Sequence, residues 1–269
     1  MVGGSDPAIP GLVPSDIVFR QNYVTKQPGW RGQSWIVKNL IEFKNAQRVV
    51  VDSNIIEYSW AASQNGYGLV ITPVNQGGGA PWSVVQHLQI TNNVVRHVAS
   101  AIDLQGVGST TSVVTNDVVF RNNLFLDISK ASWGGSGQLL TSLGGANIVF
   151  DHNTVFTDGT SVIFADVPVS GFVFTNNIIP DNAWAVIGSG TSPGNGTLSI
   201  YFPGAQFVGN VLIGSSAGVY PPGNYFPSTV ADVGFANLPG GDCRLLATSP
   251  YANAAVGGGP IGCTKPPVQ

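Results

Sequence analysis

The chain repeats one short pattern of apolar and polar positions seven times. In each copy, alternating apolar residues lead to a polar pair ending in asparagine, and more apolar residues follow, as in VVFRNNLF at 118–125. The alternation predicts a β-strand, and a constant pattern at unequal intervals predicts a solenoid whose stacked rungs carry loops of variable length. The repeated asparagines are Asn22, Asn54, Asn93, Asn123, Asn153, Asn177 and Asn210.

The alternating apolar residues would face inward, because only stacked rungs can bury them together. At the strand spacing of about 4.8 Å, the asparagines of successive rungs would hydrogen-bond through their side-chain amides and form a ladder. The outward position before each polar pair predicts two ion pairs between neighbouring rungs, Arg20 with Asp52 and Arg121 with Asp151. The inward pairs are Ile17/Phe19, Val49/Val51, Leu88/Ile90, Val118/Phe120, Ile148/Phe150 and Phe172/Phe174.

A second strand is predicted once per rung. With the ladder strand and a short apolar strand after each asparagine, it gives three parallel sheets. These second strands cover residues 40–44, 69–72, 102–105, 139–142, 162–165 and 185–188.

The order apolar-x-apolar-x-x-Asn-apolar-apolar, then Gly/Ala-Ile-x-Leu, resembles the right-handed parallel β-helix proteins of the pectate-lyase-like superfamily over residues 15–215. Within that group it resembles the secreted bacterial β-helix repeat proteins. The resemblance implies an all-β fold, a right-handed parallel β-helix of about seven coils. Coils would fill residues 1–215, and an irregular Pro/Gly-rich cap would fill 216–269. The superfamily includes lyases, hydrolases, epimerases, tailspikes and adhesins, so the resemblance predicts fold better than activity.

Composition narrows the classes of partner. Charged residues make up 9% of the 269, and the net charge of −3 provides no basic field for nucleic acid or an anionic membrane. Cys243 and Cys263 either form a disulfide typical of an oxidising compartment or remain two buried thiols. We expect a secreted or cell-surface protein, although the sequence has no signal peptide.

The first rung begins without a capping helix. An N-terminal cap is apparently missing, which predicts either a fragment of a longer solenoid or self-association through the uncapped N-terminal end.

Long loops carry five of the six tryptophans. Exposed tryptophans beside a groove are suited to stacking on sugar rings, although they could instead pack the loops onto the scaffold. The loops cover 25–38, 57–67, 73–86, 106–116 and 127–138, and the candidate substrate-binding tryptophans are Trp30, Trp35, Trp60, Trp82 and Trp133.

The resemblance places the groove over the second strands. Glu42 and Asp103 face outward there, two rungs and about 9.6 Å apart, which suits the acid and base of an inverting glycosidase. Lys44, Arg96 and His97 are expected nearby as supporting catalytic groups, unless these charges form only structural ion pairs. Thr72 and Gln105 complete the predicted substrate-binding surface.

The sequence therefore predicts a carbohydrate-active protein that binds, and as an enzyme cleaves, a polysaccharide. The low charge favours a neutral glycan. A lyase would need a Lys or Arg base and Ca²⁺, whereas a hydrolase needs no cofactor; no metal site is predicted. The Arg-x-Pro-x-x-Arg signature of pectate lyases and the Asp-Asp and Gly-His-Gly signatures of polygalacturonases are absent. The alternatives are an adhesin-like glycan-binding solenoid without activity and a fragment of a longer β-helix protein.

Overall fold

The fold is all-β, with parallel strands stacked in two sheets that curl into a half-barrel and fit a solenoid-like arrangement. The computed structural model describes residues 1–36, 38–108 and 110–264. Val37, Ser109 and residues 265–269, which belong to two predicted loops and to the predicted cap, lie outside the described residues. Neither α-helix in the described part of the chain has the length and apolarity needed to span a bilayer.

The strands that precede the repeated asparagines form one column of the twelve-stranded sheet. Each pairs in parallel with the equivalent strand of the next rung, so Val118 lies opposite Leu88 on one side and Ile148 on the other. This column contains β1 (Ser15–Arg20), β4 (Ala46–Asp52), β7 (Val85–Thr91), β10 (Asn116–Arg121), β12 (Leu140–Asp151), β15 (Val173–Thr175) and β18 (Gln206–Val208).

The strands that follow the asparagines form the separate seven-stranded sheet. They are β2 (Tyr23–Thr25), β5 (Ile55–Ser59), β8 (Val94–Val98), β11 (Leu124–Ile128), β13 (Thr154–Thr157), β16 (Ile178–Pro180) and β19 (Val211–Ile213).

The predicted second strands are present but do not form a third sheet. β12 continues from the second-strand position into the ladder position and joins the two columns, because only a bend at Gly144 and Gly145, both with positive φ, separates them. The expectation of three parallel sheets was therefore wrong: in the part of the chain that the structure describes, the parallel strands form two sheets. The other second strands are β3 (Ile41–Phe43), β6 (Tyr67–Ile71), β9 (Ser100–Gln105), β14 (Ser161–Ser170) and β17 (Trp184–Gly188).

An asparagine ladder runs through the molecule at the corner between the two sheets. Asn123 is typical, because its side-chain nitrogen donates to Asn153 Oδ1 at 3.0 Å and its oxygen accepts from Asn93 Nδ2 at 3.0 Å. The ladder extends one step beyond the repeats, to Asn224. The residue before each asparagine has a positive φ, which explains the polar or glycine residue there: Gln21, Ser53, Asn92, Asn122, His152, Asn176 and Gly209.

The core is a stack of inward apolar side chains. Phe120 lies on Phe150 with ring centroids 4.4 Å apart, and Phe174 lies on Phe207 at 5.2 Å. Outside, Arg20 pairs with Asp52 at 3.2 Å and Arg121 with Asp151 at 3.1 Å, the two ion pairs that the register predicts.

The first residues of the chain and the segment before residue 265 both contact the rungs. At the start, Val2 pairs with Phe43 and extends the second-strand column, while Asp6 accepts hydrogen bonds from the loop amides of Gly77 and Gly79. Residues before β1 thus contact the second strand of the first rung and the loop that follows Ile71.

The C-terminal segment is held to the rungs by several contacts. A disulfide joins Cys243 to Cys263, and Thr264 donates to Asn122. The segment contains the antiparallel strands β20 (Phe235–Asn237) and β21 (Asp242–Leu245). The helices are α1 (Lys130–Trp133), α2 (Asn195–Tyr201) and the 3₁₀ turns Pro28–Trp30, Ala231–Val233 and Leu238–Gly240.

Candidate functional site

Glu42 and Asp103 occupy one outward column of the second strands, as the sequence register places them. Glu42 in β3 lies opposite Val70 in β6, and Val70 lies opposite Asp103 in β9. Their backbones are thus two strand spacings, or about 9.6 Å, apart. The two carboxyl groups line the same pocket, which has a volume of about 350 Å³.

Glu42 is the more fixed of the two carboxylates. Its residue is only 8% exposed, Asn39 Nδ2 donates to its Oε1 at 2.7 Å, and Lys44 Nζ lies 3.5 Å from its Oε2. Asn39 Oδ1 also accepts from the backbone N–H of Tyr67, so the loop before β3 is tied to β6. The carboxylate is therefore positioned from two sides before any ligand arrives.

Asp103 has a different environment. Burial raises the pKa of its carboxyl group, while the hydrogen bond from Gln105 Nε2, at 3.0 Å, and the nearby charge of Lys44 oppose the rise. A carboxyl group with a raised pKa retains its proton to higher pH and can act as a general acid. Lys44 interacts with both carboxyl groups, so the three side chains form one electrostatic unit.

Tyr67 is the wall residue that sequence reasoning missed. It belongs to β6, but its hydroxyl donates to Thr141 Oγ1 at 3.2 Å in β12, so the side chain extends past the rung of Asp103. Burial raises the pKa of Tyr67, and the charge of Asp103 adds to the rise. No local motif marks this tyrosine, because its role depends on reaching across a neighbouring strand.

The pocket also has polar groups on its strand face and on its rim. Thr72 is 7% exposed, and its hydroxyl has no hydrogen-bond partner among the described residues. Gln105 and the loop residues Ser63, Gln64 and Asn65 also line the pocket. These groups are hydrogen-bonding partners of the kind that a polyhydroxylated ligand needs.

Arg96 and His97 do not line this pocket, contrary to the expectation that they would support Asp103. Both belong to β8 of the other sheet, where Arg96 forms an ion pair with Glu57, which also accepts a hydrogen bond from the Tyr23 hydroxyl. The chain turns between β8 and β9, so closeness in sequence to Asp103 does not carry these side chains onto its face.

His97 instead belongs to an aromatic cluster. Its Nδ1 lies 2.7 Å from Asp127 Oδ2, its ring stacks on Tyr58 at 5.0 Å, and Trp133 Nε1 donates to the same Asp127 oxygen at 2.9 Å. Arg31 lies over the Trp133 ring at 5.2 Å. Trp133 therefore fastens a loop to the scaffold and is not a free platform for a sugar.

The other candidate tryptophans are either packed onto the scaffold, as Trp133 is, or open to solvent. Trp60 is 3% exposed, and Trp82 is half-buried and donates through Nε1 to Leu12 O at 3.3 Å. Of the five candidate tryptophans, only Trp30 and Trp35 are open, 42% and 58% exposed, with nearly perpendicular rings whose centroids are 6.0 Å apart. The five candidate tryptophans thus do not line one groove.

Trp30 and Trp35 line a second pocket of about 340 Å³ together with Lys26 and Lys38. Burial lowers the pKa of Lys26 to about 8, although the nearby charge of Glu42 partly opposes the fall. The Lys26 ammonium is buried without a hydrogen-bond partner among the described residues. Lys26 thus links the tryptophan pocket electrostatically to the Glu42 pocket.

The described residues contain no group of three or more His, Cys, Asp or Glu side chains arranged to hold a metal ion. Comparison of the chain with protein-family models, with curated proteins and with solved structures finds no match in any of the three.

Proposed function

We propose that the chain is a right-handed parallel β-helix of about seven coils, of the pectate-lyase-like type, that binds a polysaccharide and hydrolyses it in the Glu42–Asp103 pocket. Crossovers between parallel strands of one sheet are right-handed in about 98% of cases, which supports the handedness. The disulfide in the C-terminal segment supports an extracellular or cell-surface location.

One observation carries the proposal of hydrolysis: two carboxyl groups in unlike environments line a single pocket rich in hydrogen-bonding side chains. Inverting glycosidases place such groups roughly 6.5–9.5 Å apart, so that a water molecule fits between the base and the sugar. The backbones of Glu42 and Asp103 are two strand spacings, about 9.6 Å, apart, which is close to the upper end of that range. The raised pKa of Asp103 supports its role as the acid.

In the proposed reaction, the Asp103 carboxyl gives its proton to the glycosidic oxygen as the bond from that oxygen to the anomeric carbon breaks. Glu42 accepts a proton from a water molecule whose oxygen bonds to the anomeric carbon from the opposite face. Asp103 ends deprotonated and Glu42 protonated, so transfer of one proton back through solvent restores the starting state. Lys44 and Tyr67 would orient the two carboxyl groups and the sugar hydroxyls.

The test is a product-resolved screen of neutral and acidic polysaccharides, with and without Ca²⁺. Wild type is compared with Glu42→Gln, with Asp103→Asn and with Asp117→Asn, an exposed aspartate that pairs with His87 away from the pocket. We expect new reducing ends with wild type and Asp117→Asn, and a loss of at least about 100-fold in each pocket variant. Equal rates in all four proteins would exclude this pair as the catalytic groups.

A non-catalytic, adhesin-like glycan-binding role is the second candidate. The pairing of Glu42 with Lys44 and of Asp103 with Gln105 favours it, because these contacts already use part of the hydrogen-bonding capacity of each carboxyl group. It predicts no turnover on any polysaccharide and loss of binding in Trp30→Ala and Trp35→Ala. The third reading, a fragment of a longer β-helix protein, predicts neither turnover nor binding.

A further inference from the structure

A separate pocket of about 430 Å³ lies at the start of β17, far from the Glu42–Asp103 pocket. The second strands pair in the order β3, β6, β9, β12, β14, β17, so five spacings of about 4.8 Å place β17 about 24 Å from β3 along the stack. The side chains that give this pocket its chemistry are Asp181, Trp184, Ser192, Asn195 and Tyr220.

Asp181 is held in a fixed orientation. Its Oδ1 accepts from the Ala185 backbone N–H at 2.9 Å and from the buried Tyr220 hydroxyl at 3.4 Å, while its own N–H donates to Ile213 O at 2.8 Å. No described residue donates to its Oδ2. One carboxylate oxygen therefore remains as an acceptor in a pocket wall whose geometry is already set.

Trp184 provides an apolar surface beside that acceptor. The residue is 40% exposed although its backbone is part of a paired strand, with its N–H donated to Thr160 O at 3.2 Å. The neighbouring Asn182 fixes the same turn by donating from Nδ2 to Gly159 O at 2.8 Å. The indole face is thus presented by a rigid segment and not by a free loop.

The remaining polar groups are uncharged. Asn195 and Ser192 also line the pocket, and no side-chain hydrogen bond engages the Asn195 amide among the described residues. Burial raises the pKa of Tyr220, so its hydroxyl stays protonated. The pocket thus combines an apolar ring face with one fixed carboxylate acceptor and an amide able to donate and to accept.

We infer that this pocket is a second glycan site, which binds one neutral sugar unit by stacking on Trp184 and by hydrogen bonds from two sugar hydroxyls to Asp181. A sugar ring has a face of C–H groups bordered by hydroxyls, and it therefore fits an indole face that lies beside a carboxylate acceptor. An acidic sugar is disfavoured because Asp181 carries the only charge among the lining residues. A quaternary ammonium would require several aromatic faces around it, and Tyr220 is only 2% exposed.

The site needs neither Glu42 nor Asp103, so it goes beyond the proposed hydrolysis. Its binding energy would add to that of any glycan held at the distant pocket, because both sites belong to one rigid column of strands. Such a site would retain a long chain near the candidate catalytic pocket.

The test uses the Glu42→Gln/Asp103→Asn double variant, so that turnover cannot alter the ligand. Hexasaccharides of glucose, xylose, mannose and galactose are titrated by calorimetry, and hydrogen exchange locates the protected segments. We expect protection across residues 181–196 and 218–220 with at least one hexasaccharide. Trp184→Ala and Asp181→Asn should weaken that binding at least tenfold, and Trp184→Phe should weaken it less than Trp184→Ala. Asp117→Asn, which changes a residue that lines neither pocket, should leave it unchanged.

Several results would overturn the inference: no protection of these segments by any hexasaccharide, equal affinity in Trp184→Ala, or binding of tetramethylammonium in preference to sugars. Trp184→Phe keeps an aromatic ring at this position, so comparing it with Trp184→Ala separates loss of the stacking surface from local unfolding. Calorimetry and hydrogen exchange measure binding and not turnover, so failure of the proposed hydrolysis leaves this readout unaffected, and failure here leaves the turnover screen unaffected.

Discussion

The asparagine ladder should dominate the stability of the stack, and Asn123→Ala is the substitution that tests it. Asn123 is fully buried and its side chain makes four hydrogen bonds: to Ile90 O and Asn153 Oδ1 as donor, and from the backbone and side-chain N–H groups of Asn93 as acceptor. At about 1 kcal/mol for each net bond, the loss is about 4 kcal/mol. The Asn93 backbone N–H would then be buried without its acceptor.

Asn22→Ala is the matched control, because Asn22 belongs to the same ladder but is exposed at its end. Its side chain donates only to Arg20 O and Asn54 Oδ1, and water can replace both contacts. We expect a cost below about 1 kcal/mol. Urea unfolding followed by circular dichroism measures both variants, and equal costs at the two positions would refute the idea that burial makes the ladder stabilising.

Three further predictions concern the cap and two buried charges. Replacing Cys243 and Cys263 by serine should cost about 3 kcal/mol for a 20-residue separation, seen as a lower Tm and faster proteolysis of the C-terminal segment, and an unchanged Tm would contradict it. Burial acts to raise the pKa of Asp151, but hydrogen bonds from His152 and Asn176 bring it to about 2. The stability that this carboxylate contributes is therefore present above pH 3.8 and lost as the pH falls through 2. The Asp151→Asn variant should be less stable than wild type at pH 5 and should lose less stability than wild type on acidification. Burial lowers the pKa of Lys26 to about 8, so the buried ammonium destabilises the folded state below that pH, and stability rises as the pH increases towards 10.5. The Lys26→Met variant should therefore have a higher Tm than wild type at pH 6 and lose this advantage by pH 10. A gain in Tm that does not depend on pH would contradict burial of the charge as its cause.

The sequence register was a reliable guide along each strand column. The outward alignment of Glu42 with Asp103 and the pairing of Arg121 with Asp151 both follow from counting residues in a period-two strand. Because the strand period is two, a register fixed by the ladder asparagine also fixes the face of every neighbouring residue. Much of the candidate pocket could therefore be placed before the structure was known.

Counting residues along the strands did not predict side-chain positions at the corners between strands or in the loops. Arg96 and His97 precede Asp103 by a few residues, yet a corner of the chain turns them onto the other sheet, beside Glu57 and Asp127. The exposure of Trp82 and Trp133 depended on partners distant in sequence, Leu12 for Trp82 and Arg31 for Trp133. Tyr67 was missed because its reach to Thr141 depends on a side-chain direction that no local pattern encodes.

Lys44 distinguishes hydrolysis from elimination at the candidate pocket. Its ammonium lies 3.5 Å from Glu42 and also faces Asp103, so in hydrolysis it orients the base without exchanging a proton with the sugar. Lys44→Met should then cost about tenfold in kcat, less than the loss of at least about 100-fold in Glu42→Gln, and Lys44→Arg should restore part of the rate. In a lyase, Lys44 would itself remove a proton from a ring carbon. Complete loss of an unsaturated product in Lys44→Met, with that product retained in Glu42→Gln, would therefore overturn the hydrolytic assignment and make Lys44 the base.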